Sequence, residues 1–100
     1  MDMPRALSVS ILSLLLGAGT ALAQTDKDRA IEQYECKDVM RDSGANRDVA
    51  IAFLHGFLLG KSGGSSFNLA TLHKQTDAFI EHCLDNPKEK ALDAMSAVKR

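Results

Sequence analysis

Three histidines and two cysteines are the side chains of this 100-residue chain with the most to offer chemically. His55, His73 and His82 are widely spaced, and none belongs to a metal-ligand pattern such as HExxH. His82 directly precedes Cys83, but adjacent residues on a helix face different directions, so they make no nucleophile pair. Cys36 and Cys83 are the only cysteines, too far apart in sequence for CxxC redox chemistry or a zinc knuckle. Lys61-Ser62-Gly63-Gly64-Ser65-Ser66 is rich in Gly and Ser but lacks the Gly-Lys-Ser/Thr ending of a phosphate-binding loop. No catalytic set emerges, so the expectation is a protein that is not an enzyme and needs neither cofactor nor metal.

His55 is the most informative of these residues because of where it sits. Val49 to Gly60 reads Val-Ala-Ile-Ala-Phe-Leu-His-Gly-Phe-Leu-Leu-Gly, apolar or small throughout except for His55. As a helix this stretch spans about 18 Å, short of the ~20 residues a bilayer requires. A helix apolar all round in a soluble chain must be covered all round. Val49, Ala52, Phe53, Gly56, Phe57 and Gly60 share one face, while Ile51, Leu54, Leu58 and Leu59 point elsewhere. Either this is a plain core helix, or one side meets the core and the other a second apolar surface; the rest of the chain favours the second reading. His55 then either faces solvent or acts as a pH trigger, since a partly buried imidazole resists charging. Asp48, Asp77 and Glu81 are surface charges by default; paired with Lys or Arg at a contact, they would weaken it as acid protonates them. Asp48 is retained beside His55 as a possible trigger.

The N-terminus sets the compartment. Arg5, an apolar run from Ala6 to Ala18 and the ending Ala21-Leu22-Ala23 make a secretory signal peptide, residues 1–23. The mature domain is then residues 24–100, one small domain with no further candidate for a membrane span. An exported chain with two cysteines points to a disulfide between Cys36 and Cys83. It closes a loop of about 48 residues, worth roughly 4 kcal/mol by chain entropy. A domain of this size has a marginal core, so such a staple matters. The full chain carries a net charge of −1 and no basic block, which argues against nucleic acid. With carboxylates neutral and histidines charged, the mature chain would carry about +14.

The elements that position these residues are helical. Cys36, Val39 and Met40 recur at helical spacing and face inward; Gly44 suits the left-handed turn after them, and Asn46 is the expected cap of the next helix. The central helix runs from about Arg47 to Gly60. Asn68 is expected to cap a third helix whose Leu69, Leu72, Thr76, Phe79, Ile80 and Cys83 form an inward stripe. Asn86, Pro87 and Glu89 resemble the start of a fourth, with Ala91, Leu92, Met95 and Val98 on one face. The expected fold is all-α, a small single-domain bundle of about four short helices stapled by one disulfide.

These features together are similar to a known family. Tyr34-Glu35-Cys36-Lys37-Asp38-Val39 gives an aromatic-x-Cys-x-Asp-apolar start, Ile80-Glu81-His82-Cys83 carries the single partner cysteine, and a lysine-bearing terminal helix follows. Behind an export leader, this combination resembles the HdeA/HdeB acid-stress chaperones of the bacterial periplasm over nearly all of Tyr34 to Arg100. Tyr34 stands where the best-known member has Trp, and His55 has no counterpart among the family's hallmarks. The resemblance implies a homodimer near neutral pH that dissociates and partly unfolds in acid, then binds unfolded periplasmic clients without ATP. Carried over, Cys36 and Cys83 form the disulfide, and Val49, Ile51, Phe53, Leu54, Phe57 and Leu58 form the dimer contact and client-binding surface. The alternative is a constitutive periplasmic binding module for a lipid, a small apolar ligand or a larger envelope partner.

Overall fold

Two long helices make a hairpin, and two short ones cover only its base. The computed structural model describes residues 27–100; the expected signal peptide lies outside the described residues. A short 3-10 turn, Ile31–Gln33, leads into α1 (Cys36–Arg41), α2 (Gly44–Lys61), α3 (Leu69–Asp85) and α4 (Ala91–Val98). Among the described residues there is no strand, only one isolated antiparallel bridge between Glu35 and Lys90.

The core gathers where all four helices meet. Tyr34, Cys36, Val39, Ile51, Leu54, Phe79, Cys83, Ala91, Ala94 and Met95 are buried together. The Cys36–Cys83 disulfide runs through this cluster with its Cα atoms 4.9 Å apart and joins α1 to the end of α3. Backbone hydrogen bonds close the same corner. The Cys36 amide donates to the Glu89 carbonyl, the Lys37 amide to Pro87, and the Ala91 amide to Tyr34, each at 2.8 Å.

Those bonds explain one correction to the sequence reading. The fourth helix starts at Ala91, not at Pro87. Its expected capping residues are used otherwise: Pro87 and Glu89 present their carbonyls to α1, and the Glu89 side chain accepts from His82 Nε2 at 2.8 Å. A second correction concerns Asn46, which lies inside the first turn of α2, after Ser43 at the cap position. Gly44 takes φ +54°, a left-handed conformation that glycine adopts without the Cβ penalty, and so lets α2 begin two residues after α1 has ended. Arg47 ties off α1, its Nε donating to the Asp42 carbonyl and its Nη2 to that of Met40. The Asn68 cap is as expected, its Oδ1 accepting from the Thr71 amide at 3.0 Å.

Helix length decides how far the core extends. α1 and α4, with six and eight residues, reach about 9 and 12 Å, whereas the 18 residues of α2 reach about 27 Å. The short helices therefore cover one end of the hairpin, and no residue between Gly56 and Ala78 is buried. The inward stripe of α3 is divided accordingly: Phe79 and Cys83 are buried, Leu72, Thr76 and Ile80 half-buried, and Leu69 65% exposed. α2 and α3 each pack firmly on α1 and α4 or both, and only lightly on each other.

Because one covalent bond spans so small a core, Cys36→Ser or Cys83→Ser should lower unfolding free energy by about 2–5 kcal/mol. Urea denaturation of the oxidised protein against either variant measures this; coincident midpoints would show that the bond stabilises nothing.

Candidate functional site

The apolar face of α2 divides as its helical spacing demands. Ile51 and Leu54 turn into the core at 3% and 0% exposure, with Leu58 half-buried against it. On the opposite side Val49 is 68% and Phe53 59% exposed, Ala52, Gly56 and Gly60 are open, and Phe57 is half-buried. Phe53 and Phe57, one turn apart, have ring centroids 6.2 Å apart, so they offer a joined aromatic surface. The six residues expected to form one binding surface are thus split: Val49, Phe53 and Phe57 face outward, while Ile51 and Leu54 belong to the core and become accessible only when it opens. Phe67 and Leu69, 68% and 65% exposed at the start of α3, add apolar surface at the hairpin's far end. Sequence reasoning placed Leu69 inside and did not single out Phe67; a signal existed in the mismatch between the long hairpin helices and their short neighbours.

A groove runs beside the open face, between α2 and the segment before α1, lined by Ile31, Tyr34, Asn46, Val49, Ala50 and Phe53 among others. The segment is held there by a polar cluster that joins residues well separated in sequence. Arg29 grips Asp42 with both terminal nitrogens, at 2.6 and 3.2 Å, and its guanidinium lies over the Tyr34 ring at 5.6 Å. The Tyr34 hydroxyl donates to Asp42 Oδ2 at 2.7 Å. The Arg29 hydrogen bonds, with that of Tyr34, hold the Asp42 carboxyl below its usual range against the opposing effect of burial. Burial, helped by Asp42, pushes the Tyr34 phenol up to about 12. Asp42 is therefore a residue whose protonation costs the fold an ion pair and a hydrogen bond at once.

The histidines do not converge. His73 is exposed, His82 pairs with Glu89, and His55 is buried on α2 at 6% exposure. The solvent-facing alternative for His55 is thereby overturned, because the imidazole turns toward α3 instead. Its Nε2 lies 2.9 Å from Thr76 Oγ1, and its Nδ1 is buried with no hydrogen-bond partner among the described residues. Burial first, and the nearby Lys99 ammonium second, push the imidazole down to about 4. Asp48 lies two turns earlier on the same helix, about 10 Å along the axis, and is exposed.

Comparison with known proteins fits this arrangement. The model of the HdeA/HdeB family matches residues 6–93. The chain belongs to the HdeA/HdeB family. HdeA/HdeB proteins are known as acid-stress chaperones of the periplasm, not as enzymes. No curated protein matches the chain, and no solved structure does either. Among the described residues, no helix is long and apolar enough to cross a membrane.

The sign of the Asp42 contribution follows from its lowered pKa. Its stabilisation is fully present above the ordinary carboxylate range near pH 4 and disappears as pH falls through the lower folded value. Asp42→Asn should therefore destabilise the protein at pH 7 by about 1 kcal/mol, Arg29 being half exposed, with the difference from wild type shrinking as pH falls below the ordinary carboxylate range. Denaturant melts at pH 7, 4 and 2 read this directly; a pH-independent difference would remove Asp42 as an acid-sensitive group.

Proposed function

We propose that this protein is an ATP-independent, acid-activated holdase of the bacterial periplasm, exported by cleavage of residues 1–23 and dimeric near neutral pH. The observation that carries the reading is the open aromatic face of α2 on a domain with so small a core. A monomer would leave Val49, Phe53 and the edge of Phe57 against water, and the apolar area of two such faces is relieved by pairing. In strong acid the contacts that depend on ionised carboxylates fail, and the mature chain rises to about +14 in formal charge. Dissociation then frees the α2 face, and loosening of the core adds Ile51, Leu54 and Leu58 to it. The disulfide limits how far the chain opens, and the positive charge keeps chaperone and client in solution. Protons supply the free energy that ATP supplies elsewhere.

The constitutive-carrier alternative needs a site shielded from water for a lipid or small apolar ligand. The groove beside Phe53 is open along its length and has Lys27 and Arg29 at its wall, which suits a protein surface better than an enclosed ligand.

Aggregation of an acid-denatured test protein, followed by light scattering at pH 2 to 4, should be suppressed by a stoichiometric amount of this protein without nucleotide. No protection anywhere in that range would remove the holdase reading. Phe53→Asp should weaken the neutral-pH dimer at least tenfold in sedimentation analysis while preserving helicity, since Phe53 is exposed in the single subunit. An unchanged association constant would move the dimer contact off α2.

A further inference from the structure

α2 and α3 meet through a single polar link, His55 to Thr76, at the point where the core ends and the exposed part of the hairpin begins. Below this link, α1, α4 and the disulfide hold the two helices; beyond it, from Gly56 to Ala78, nothing is buried. The bond is well suited to a neutral imidazole and poorly suited to a charged one. Neutral, the ring satisfies Nε2 through the Thr76 hydroxyl and leaves Nδ1 as a buried lone pair, a small cost. Protonated, both nitrogens must donate. Nδ1–H would then be a buried donor with no acceptor, next to a second positive charge.

That second charge is supplied by α4. The Lys99 ammonium, at the end of α4, is held toward α3 by donating to Gln75 Oε1 at 2.9 Å, next in sequence to Thr76. It is the charged group that acts on His55. On its own helix Asp48 lies two turns before His55 and Lys61 almost two turns after it, both exposed; on α3, Asp77 is exposed and Thr76 is neutral. α1 contributes Val39 and Cys36 to the shared core. Among the described residues no carboxylate is paired with the imidazole, so none of them stabilises its charged form.

We propose that His55 and Thr76 are a proton-operated pin in the hairpin: charging the imidazole parts α2 from α3 in mild acid, while the carboxylates are still ionised and before the Arg29–Asp42 contact fails. Opening exposes the ring to water, where it binds a proton readily, so protons favour the open hairpin. The strip from Phe57 through Leu72 would then separate from the base while the stapled corner of Cys36, Val39 and Ala91 persists. This inference refines the holdase reading by adding an earlier step to activation, and it rests on that reading only for its biological purpose.

The sign and size are set by linkage. His55 is lowered from an ordinary 6.5 to about 4, so the stabilisation is complete above pH 6.5 and is lost as pH falls toward 4. At pH 5 the opening equilibrium should shift by roughly 20-fold relative to pH 7. Amide hydrogen exchange of the oxidised full-length mature protein, corrected for intrinsic rates, should show that loss of protection within residues 56–78. Amides near Cys36 and Ala91 should keep theirs. NMR titration of the imidazole in the same sample should place His55 well below the ordinary imidazole value of about 6.5. His55→Gln, which keeps a polar atom for Thr76 but cannot charge, should abolish the step at pH 5 and leave the unfolding below pH 4.

A His55 that titrates near 6.5, or equal protection of residues 56–78 at pH 7 and 5, overturns the pin even if the variant fails to fold. So does a folded His55→Gln protein with the wild-type profile. The holdase reading fails by a different result, unprotected client at pH 2 to 4, which the exchange profile does not touch.

Discussion

Among the described residues eight buried apolar side chains gather around the Cys36–Cys83 disulfide at the corner where four helices meet. A core this small leaves little stability to share, because burial scales with the number of side chains that can be removed from water. The staple and the three backbone hydrogen bonds from Cys36, Lys37 and Ala91 make that corner the rigid part of the molecule. Farther from it, polar contacts take over: the Arg29–Asp42–Tyr34 cluster for the segment before α1, and the His55–Thr76 bond between the long helices. Each of these two contacts depends on the charge state of one ionisable group, Asp42 or His55.

The two contacts use protons in different ways. Asp42 is stabilised as an anion, by a guanidinium and a phenol, so acid removes an attraction that exists at neutral pH. His55 is held neutral by burial, so acid introduces a charge where none was present. Both make the open chain bind more protons than the closed one, and both therefore lower stability as pH falls, over separate ranges. A family known for acid-stress chaperones is a fitting home for such an arrangement.

Exposure of large apolar side chains is usually a liability. Here it follows from helix length, since six- and eight-residue helices cannot sheath partners of 17 and 18 residues. Val49 and Phe53 on one flank, and Phe67 and Leu69 at the tip, are the surface left over. The same geometry that makes the core marginal thus provides the adhesive surface of the proposed function.

Much of this was legible in the residues alone. Helical periodicity assigned the all-α class and the two faces of α2, and the isolated cysteine pair in a chain read as exported pointed to the Cys36–Cys83 bond. Asn68 was recognisable as a cap because its bond to Thr71 is local. The tertiary structure decided whatever depended on residues far apart in sequence. Pro87 and Glu89 look like a helix start but become acceptors for α1, because amides 36 and 37 needed partners there. Arg29 finds its partner only in Asp42, 13 residues on, which no local pattern reveals. His55 could have faced either way on an apolar helix, and only the approach of Thr76, 21 residues later, put it inside. Periodicity reports which residues share a side; only packing determines what that side meets, and for an ionisable group the neighbour, not the residue type, sets the pH at which it acts.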